Sequence, residues 1–319
     1  MTTPVLHSSE PAARLTVAIS GASGLIGPAT AATLQRHGHT IKRLVRRAAR
    51  EAAEIEWNPS AGTIDAGALH GVDVVINLSG ETLAQRWTAS AKRRILESRT
   101  KPTLLLARTL ASLSPRPSAF LSASAVGIYG SRGDAMLDEA SPPGDDFLAD
   151  VCKQWEAATE PASAAGIRVV HLRTAVVMSR EGGMLAKLLP LFRAGIGGRI
   201  GDGRNWLSWI ARSDCAEAIA FLAGTPEASG PVNLVAPNPV TNAEFTRVLA
   251  HVLGRPGFVT VPRLAMKLAF GEMARDTILA SQRVAPRRLL EWGFEFACPT
   301  LESALRQALA DRSATRSTH

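Results

Sequence analysis

Tyrosine is almost absent: the chain of 319 residues holds one, Tyr129. Cysteine is scarce too, with Cys152, Cys215 and Cys298 alone. Three thiols, odd in number and far apart, argue against a disulfide framework and a CxxC metal site. The histidines (His7, His37, His39, His70, His171, His251 and His319) show no HxxxH spacing and no clustering with cysteine, so no metal ligand set is expected. No apolar run reaches the roughly 18 residues of a membrane span, which excludes a membrane-embedded chain. A dense basic run interleaved with aromatics is also missing. Nucleic acid is therefore not the expected partner, despite a net charge of +8. The N-terminal residues lack the basic-then-apolar order of a secretory signal, and a reducing cytoplasm is the expected compartment.

What is present is ordinary globular material. Apolar residues make up 46% and charged residues 20%, a balance that excludes general disorder. The length suits one α/β domain with an elaborated lobe. Leu15–Ser20 reads as a buried strand closed by glycine, Leu25–His37 as the helix after it, and Thr40–Val45 as a second strand. Val72–Leu78 is a nearly continuous apolar run, the pattern of a parallel strand covered on both faces. Helices are expected over Ala89–Ser112 and Asp146–Ala165, and strands over Ala119–Ala123 and Arg168–Arg173. This alternation predicts an α/β fold with a doubly wound parallel sheet. After Val177 glycines crowd the stretch Gly182–Gly203 around a helix-like run, Met184–Phe192. Ser213–Ala223 then reads as helix and Val232–Val235 as strand. From Thr241 short helices are broken by Pro256, Pro262, Pro286 and Pro299. The expected division is a sheet domain over 15–178, rejoined by 213–235, and a smaller, mainly helical lobe over 179–212 and 236–310 that caps the carboxyl edge of the sheet. Polar tails at 1–14 and 311–319 are expected to fray.

Directly after the first strand comes Gly21-Ala22-Ser23-Gly24-Leu25-Ile26-Gly27, then a helix. Small residues let the backbone turn tightly and approach a pyrophosphate, and the helix N-terminus offers it free N–H groups and a positive dipole end. The strand–loop–helix context makes this GxxGxxG spacing a dinucleotide-binding loop. Folds specific for NAD place an acid about 20 residues past the loop. Here stand Lys42, Arg43, Leu44, Val45, Arg46 and Arg47, with no acid before Glu51. Arginine makes paired, charge-assisted bonds to a 2′-phosphate. The expectation is NADP(H), with Arg46 first and Arg43 second as the phosphate ligand; solvated surface arginines are the alternative. The strand over Val72–Leu78 runs out into Asn77-Leu78-Ser79-Gly80-Glu81, residues that would border the ribose and nicotinamide at the carboxyl edge. Glu81, the sole acid there, bonds a ribose or substrate hydroxyl or else caps the next segment.

Gly21–Gly27, Asn77–Glu81 and the run from Leu121 through Ser124 and Tyr129 to Gly130 together resemble the extended short-chain dehydrogenase/reductase superfamily. More narrowly, the chain resembles the NAD(P)-dependent epimerase family proteins that carry their own C-terminal domain of unknown function. The narrower likeness rests on Arg86-Trp87, Lys92, Ser98-Arg99, Trp155-Glu156, Ser208-Trp209-Ile210, Asn233, Pro239, Gly271-Glu272 and Leu289 to Phe294, and spans about residues 15–310. It implies a Rossmann fold, NADP(H) binding and a C-terminal lobe for an unidentified small carbonyl or hydroxyl substrate. A homodimer joined through helices beside the sheet accompanies that expectation.

The superfamily's chemistry needs a serine that orients the carbonyl, a tyrosine that moves the proton, and a lysine four residues on that lowers the tyrosine pKa and holds the ribose. Ser124 matches the serine. The YxxxK pair is missing: Gly133 stands four residues past Tyr129, and counting back from Glu156 puts the pair's positions on Leu148 and Cys152. Lys153 is one residue off, about 100° round a helix. Three readings stay open. Tyr129 acts as the acid from the loop after the fifth strand; or Ser124 or Glu81 works with the cofactor without a tyrosine; or turnover is absent and the protein is an NADPH-binding regulator or sensor. Cys152 reads as a buried core thiol. In the lobe, the stretch from Gly197 to Ile210 is expected to fold over the crevice with Trp206 and Trp209 walling a pocket, and Arg199 and Arg204 read as anion ligands or as surface charges.

Overall fold

The computed structural model describes residues 14–310; the segments 1–13 and 311–319, where frayed tails were expected, lie outside the described residues. Eight strands form the central sheet: β1 (Thr16–Ser20), β2 (Thr40–Val45), β3 (Glu54–Asn58), β4 (Thr63–Ile64), β5 (Val74–Asn77), β6 (Ala119–Ala125), β7 (Arg168–Thr174) and β8 (Gly230–Leu234). Their order is β8-β7-β6-β5-β1-β2-β3-β4, parallel throughout except for the β3–β4 edge. The chain winds outward from β1 in one direction and from β5 in the other, which opens a crevice above the carboxyl ends of that central pair. This is the doubly wound Rossmann architecture expected from the alternation.

Alternation within the strands separates two cores. Val17, Ile19, Val74, Ile76, Leu121 and Leu172 face α1 (Gly27–Arg36) and its partner across that face, α6 (Arg212–Gly224). Ala18, Val75 and Phe120 face α2 (Ala89–Ser112) and α4 (Glu160–Ala164). The expected helix over Asp146–Ala165 is two helices. Asp146 caps α3 (Phe147–Ala157) by accepting the Ala149 N–H at 2.9 Å. Pro161 has no N–H to continue that helix, so the chain turns at Thr159 and starts α4. The β3–β4 pair went unforeseen; its Ile55 and Trp57 are buried in the second core.

The lobe has its own core, in which α5 (Gly183–Arg193), α7 (Asn242–Leu253) and the C-terminal helix Leu301–Ala310 surround a fully buried Trp209. The lobe packs on the carboxyl-end loops. Gln282 Nε2 donates to the carbonyls of Val126 and Gly130, both at 3.1 Å, and Lys92 on α2 pairs with Glu272. One segment departs from the expected division: Leu289 and Phe294 leave the lobe and join the sheet's first core. Beside them lies the open side of β8. There the Pro231 carbonyl accepts from Arg288 Nη1 at 2.9 Å, and the Asn233 N–H donates to Glu139 Oε1 at 3.0 Å.

Candidate functional site

The crevice begins where β1 runs into Gly21. Its φ is +68°, and a Cβ there would stand 2.6 Å from the Leu78 carbonyl oxygen. A Cβ on Gly27 would fall 2.3 Å from the Gly21 carbonyl oxygen. Only hydrogen fits at either position, so the loop lies flat against the end of β5 and α1 starts directly behind it. Gly24 closes the turn by donating to Gly21 O at 2.9 Å. Ser23 and Gly24 are exposed, while Leu25 and Ile26 are half-buried, Leu25 under Gly182 of the lobe. No side chain caps α1. Its leading N–H groups therefore face the loop without a side-chain acceptor. A backbone cradle of this kind fits a pyrophosphate.

At the end of β2 the arginines are sorted by their partners. Glu54, the first residue of β3, accepts from Arg47 Nη1 at 2.7 Å, Arg47 Nη2 at 2.6 Å and the Arg50 N–H at 2.9 Å. The Arg47 hydrogen bonds, with that of Arg50 behind them, bring the Glu54 carboxyl down to about 2. Arg43 pairs with Glu51 and also lies 3.6 Å from Glu54. Arg46 is exposed and joins no ion pair among the described residues. Of the two arginines expected to meet a 2′-phosphate, Arg46 is the one whose charge is uncompensated.

At the end of β5, Ser79 and Gly80 follow at the carboxyl edge, Ser79 half-buried, Gly80 exposed and Leu78 against Gly21. Asn77 is a different matter. It was expected to border the cofactor, but its side chain is wholly buried. Its Oδ1 accepts from Ser20 Oγ at 2.6 Å and the Ser79 N–H at 3.2 Å, and its Nδ2 donates to Thr103 Oγ1 at 2.8 Å. The side chain is spent on tying β1, β5 and α2 together. Glu81 is about a third exposed at the rim. It accepts from Gln85 Nε2 at 2.9 Å and from Arg94 Nε at 3.5 Å. The Gln85 hydrogen bond, with Arg94 beside it, holds its carboxyl below the ordinary range. Glu81 is thus an ionised acceptor rather than an acid at neutral pH.

Behind the end of β6 runs a buried polar chain. Ser124 Oγ donates to Glu156 Oε1 at 2.7 Å. Arg173 grips the same carboxylate through Nε (2.9 Å) and Nη2 (3.0 Å) and reaches Tyr129 through Nη1 at 3.0 Å. The Tyr129 hydroxyl donates to Asn233 Oδ1 at 2.7 Å. Burial would raise Glu156, but the paired Arg173 bonds outweigh it and keep the carboxyl below its usual range. Tyr129 itself is completely buried, and burial pushes its phenol up. The reading of Tyr129 as an acid beside the cofactor is therefore corrected: its hydroxyl is a structural link inside the core. Ser124 is at the expected strand end, yet its proton points to Glu156. Leu148 and Cys152 are both buried, and burial pushes the Cys152 thiol up to about 12.

In the lobe, Trp206 is half-buried with Arg283 stacked over its ring at 4.2 Å and its Nε1 donating to Asp134 at 2.9 Å. Trp209 walls no pocket; it lies in the lobe core with Nε1 on Asn238 O at 3.0 Å. Arg199 and Arg204 are exposed. No group of three or more His, Cys, Asp or Glu side chains among the described residues could hold a metal, and no helix among them is long and apolar enough to cross a membrane.

Residues 17–235 match the model of the NAD dependent epimerase/dehydratase family. The chain belongs to that family. Residues 261–308 match a second model, the domain of unknown function DUF1731. An epimerase family protein of Mycobacterium tuberculosis is 44% identical over 297 residues, 93% of this chain and 98% of its own length. Among solved structures, the human epimerase family protein SDR39U1 (isoform 2), crystallised with NADPH, superposes with a TM-score of 0.84 at 31% identity, covering 93% of this chain and 100% of that one. The nucleoside-diphosphate sugar epimerase from Corynebacterium glutamicum gives a TM-score of 0.78 at 40% identity, over 93% of this chain and 59% of that one. As an epimerase family member with a short-chain dehydrogenase/reductase fold, the chain has its glycine cradle where the family binds nicotinamide cofactors.

Proposed function

We propose that this epimerase family member binds NADP(H) in preference to NAD(H) and uses it on a small carbonyl or hydroxyl substrate beneath the C-terminal lobe. The observation that carries the reading is the uncompensated Arg46 guanidinium at the end of β2, beside a cradle that admits nothing larger than hydrogen at Gly21 and Gly27. The NADPH held by the human relative supports it. When bound, the cofactor gives or accepts a hydride. The chain's own groups do the rest. The loop and the α1 N-terminus bind the pyrophosphate, and Arg46 donates to the 2′-phosphate. The ionised Glu81 at the rim accepts a hydrogen bond from a substrate hydroxyl and orients it. Ser124, held by Glu156, lines the wall.

A second reading is NADPH binding without turnover, by a regulator or sensor. It is favoured by the burial of the Tyr129 hydroxyl and by Leu148 and Cys152 at the positions where the superfamily keeps its tyrosine and lysine.

The test is a parallel titration with NADPH and NADH, following nucleotide fluorescence and melting temperature. Saturation at about 100 times the Kd adds about 2.7 kcal/mol of stability. The expected result is tight NADPH binding, weak NADH binding, and loss of the preference in Arg46→Glu. Binding of neither nucleotide overturns both readings. Tight binding with no oxidation of NADPH by a panel of aldehydes and ketones selects the sensor.

A further inference from the structure

One end of the C-terminal lobe gathers exposed apolar side chains and positive charge together. Residues 182–201 and 252–271 build it. The short strands Gly198–Ile200 and Val259–Val261 pair there in parallel, and a Cβ on Gly195 would lie 3.6 Å from Pro256. Eight large apolar side chains are exposed among the described residues, and six of them stand in these two segments: Leu191, Ile196, Phe258, Leu264, Leu268 and Phe270. Phe258 is 82% exposed, Leu268 78% and Leu264 66%. They protrude from the lobe instead of filling it. Leu264 and Leu268 belong to α8 (Arg263–Phe270) and, four residues apart, share one of its faces. No residue of α8 is buried, and only Met266 is half-buried. A helix of eight residues is too short to be stable alone in water and is held in proteins by burying an apolar face. The free face of α8 has no such cover among the described residues.

Charge says what covers it. The same two segments carry Lys187, Arg193, Arg199, Arg255, Arg263 and Lys267, all exposed, and not one Asp or Glu. These six cations stand in a chain whose net charge is +8, so most of the surplus sits at this end. Of the six, only Arg263 forms an ion pair among the described residues, with Asp202 at 3.9 Å. A second copy docked through the same end would set cation against cation. Leucine and phenylalanine on a helix flanked by lysine and arginine suit the boundary between headgroups and acyl chains of an anionic bilayer. There the apolar groups leave water while the cations meet lipid phosphates.

We propose that this end of the lobe seats on an anionic lipid surface, with Phe258, Leu264 and Leu268 entering the acyl boundary and the surrounding Lys and Arg side chains on the headgroup phosphates. The contact is peripheral, since no helix among the described residues is long and apolar enough to cross a membrane. It is independent of the cofactor reading of the crevice.

The test is co-sedimentation of the full chain with vesicles, either phosphatidylcholine alone or equal parts of phosphatidylcholine and phosphatidylglycerol. Wild type is compared with Leu264→Asp/Leu268→Asp, with Arg263→Glu/Lys267→Glu, and with Leu290→Asp, an exposed leucine outside the two segments. Every changed side chain is exposed, and a melting curve checks each fold. The expected result is binding of wild type to the anionic vesicles, about tenfold weaker binding to phosphatidylcholine alone, and a loss of about tenfold or more in both double variants. Leu290→Asp is expected to bind as wild type does. Failure of wild type to bind the anionic vesicles overturns the proposal. Undiminished binding by Leu264→Asp/Leu268→Asp also overturns it, because the attraction is then one of net charge without insertion. Light scattering supplies the remaining outcome: a wild-type dimer that the leucine variant converts to monomer would assign this face to a second copy and overturn the lipid reading.

Discussion

Replacing Tyr129 by phenylalanine separates a structural hydroxyl from a catalytic one. The ring stays in its core site, so the change is confined to the oxygen, which now donates to Asn233 Oδ1 at 2.7 Å and accepts from Arg173 Nη1 at 3.0 Å. Arg173 keeps two bonds to Glu156 and is not stranded. Asn233 Oδ1 loses the donor it has here, in a residue with no exposure to water. Leaving one buried acceptor unsatisfied costs about 1–3 kcal/mol. In domains of 150–250 residues that is roughly 2–4 °C of melting temperature per kcal/mol. The expected outcome is a fall of several degrees in a circular-dichroism melt, with NADPH affinity unchanged within about twofold. A variant that melts with wild type while losing NADPH affinity or NADPH-linked turnover would refute the placement of the hydroxyl and return Tyr129 to the crevice.

Two further outcomes follow from the ionisable groups. Glu54 is held at about 2 by Arg47 and Arg50, against an ordinary value near 4.5. A depressed carboxyl stabilises the fold above its unfolded pKa and ceases to do so as pH falls through the folded one. Acid unfolding of Glu54→Gln followed between about pH 4.5 and 2 is therefore expected to show a shallower loss of stability than wild type; an equal slope would count against the pairing. The thiols of Cys152 and Cys215 are pushed up to about 12 by burial. Ellman's reagent at pH 8 is expected to leave both unlabelled in the native protein and to label them on unfolding; fast labelling of the native protein would show that the thiols are accessible.

Much of the fold was legible because it depends on local pattern. The helix over Ala89–Ser112 is found with those bounds, and the glycine loop sits between strand and helix as its spacing requires. The β3–β4 hairpin was missed although its signals exist: Glu54-Ile55-Glu56-Trp57 alternates, and Asn58-Pro59 begins a turn. The run is short, and Glu54 and Glu56 interrupt the apolar pattern expected of a parallel strand; Glu54 is buried only because Arg47 and Arg50 meet its carboxylate. The site was legible where backbone makes it and illegible where side chains pair across the sequence. A motif places Tyr129 after β6, but its burial depends on Asn233 and Arg173, distant in the chain. Asn77 likewise gives its side chain to Ser20 and Thr103. Arg173 carried a signal that went unused, since an arginine closing the apolar strand Arg168–Thr174 must find an acid, and Glu156 is that acid.

The occupied open side of β8 limits how this protein can associate. The backbone groups there that a foreign strand would need are already engaged, the Pro231 carbonyl by Arg288 and the Asn233 N–H by Glu139, and Pro231 brings no N–H at all. Both plugs are long polar side chains from outside the sheet, and their bonds occupy the edge against strand recruitment. Continuation of the sheet from one copy into the next is closed along β8, and any pairing of copies on that flank has to be made by helices. A shortened chain that ended before Arg288 would lose that plug together with Leu289 and Phe294 of the sheet's first core and the Leu301–Ala310 helix of the lobe core, so its first failing would be unfolding.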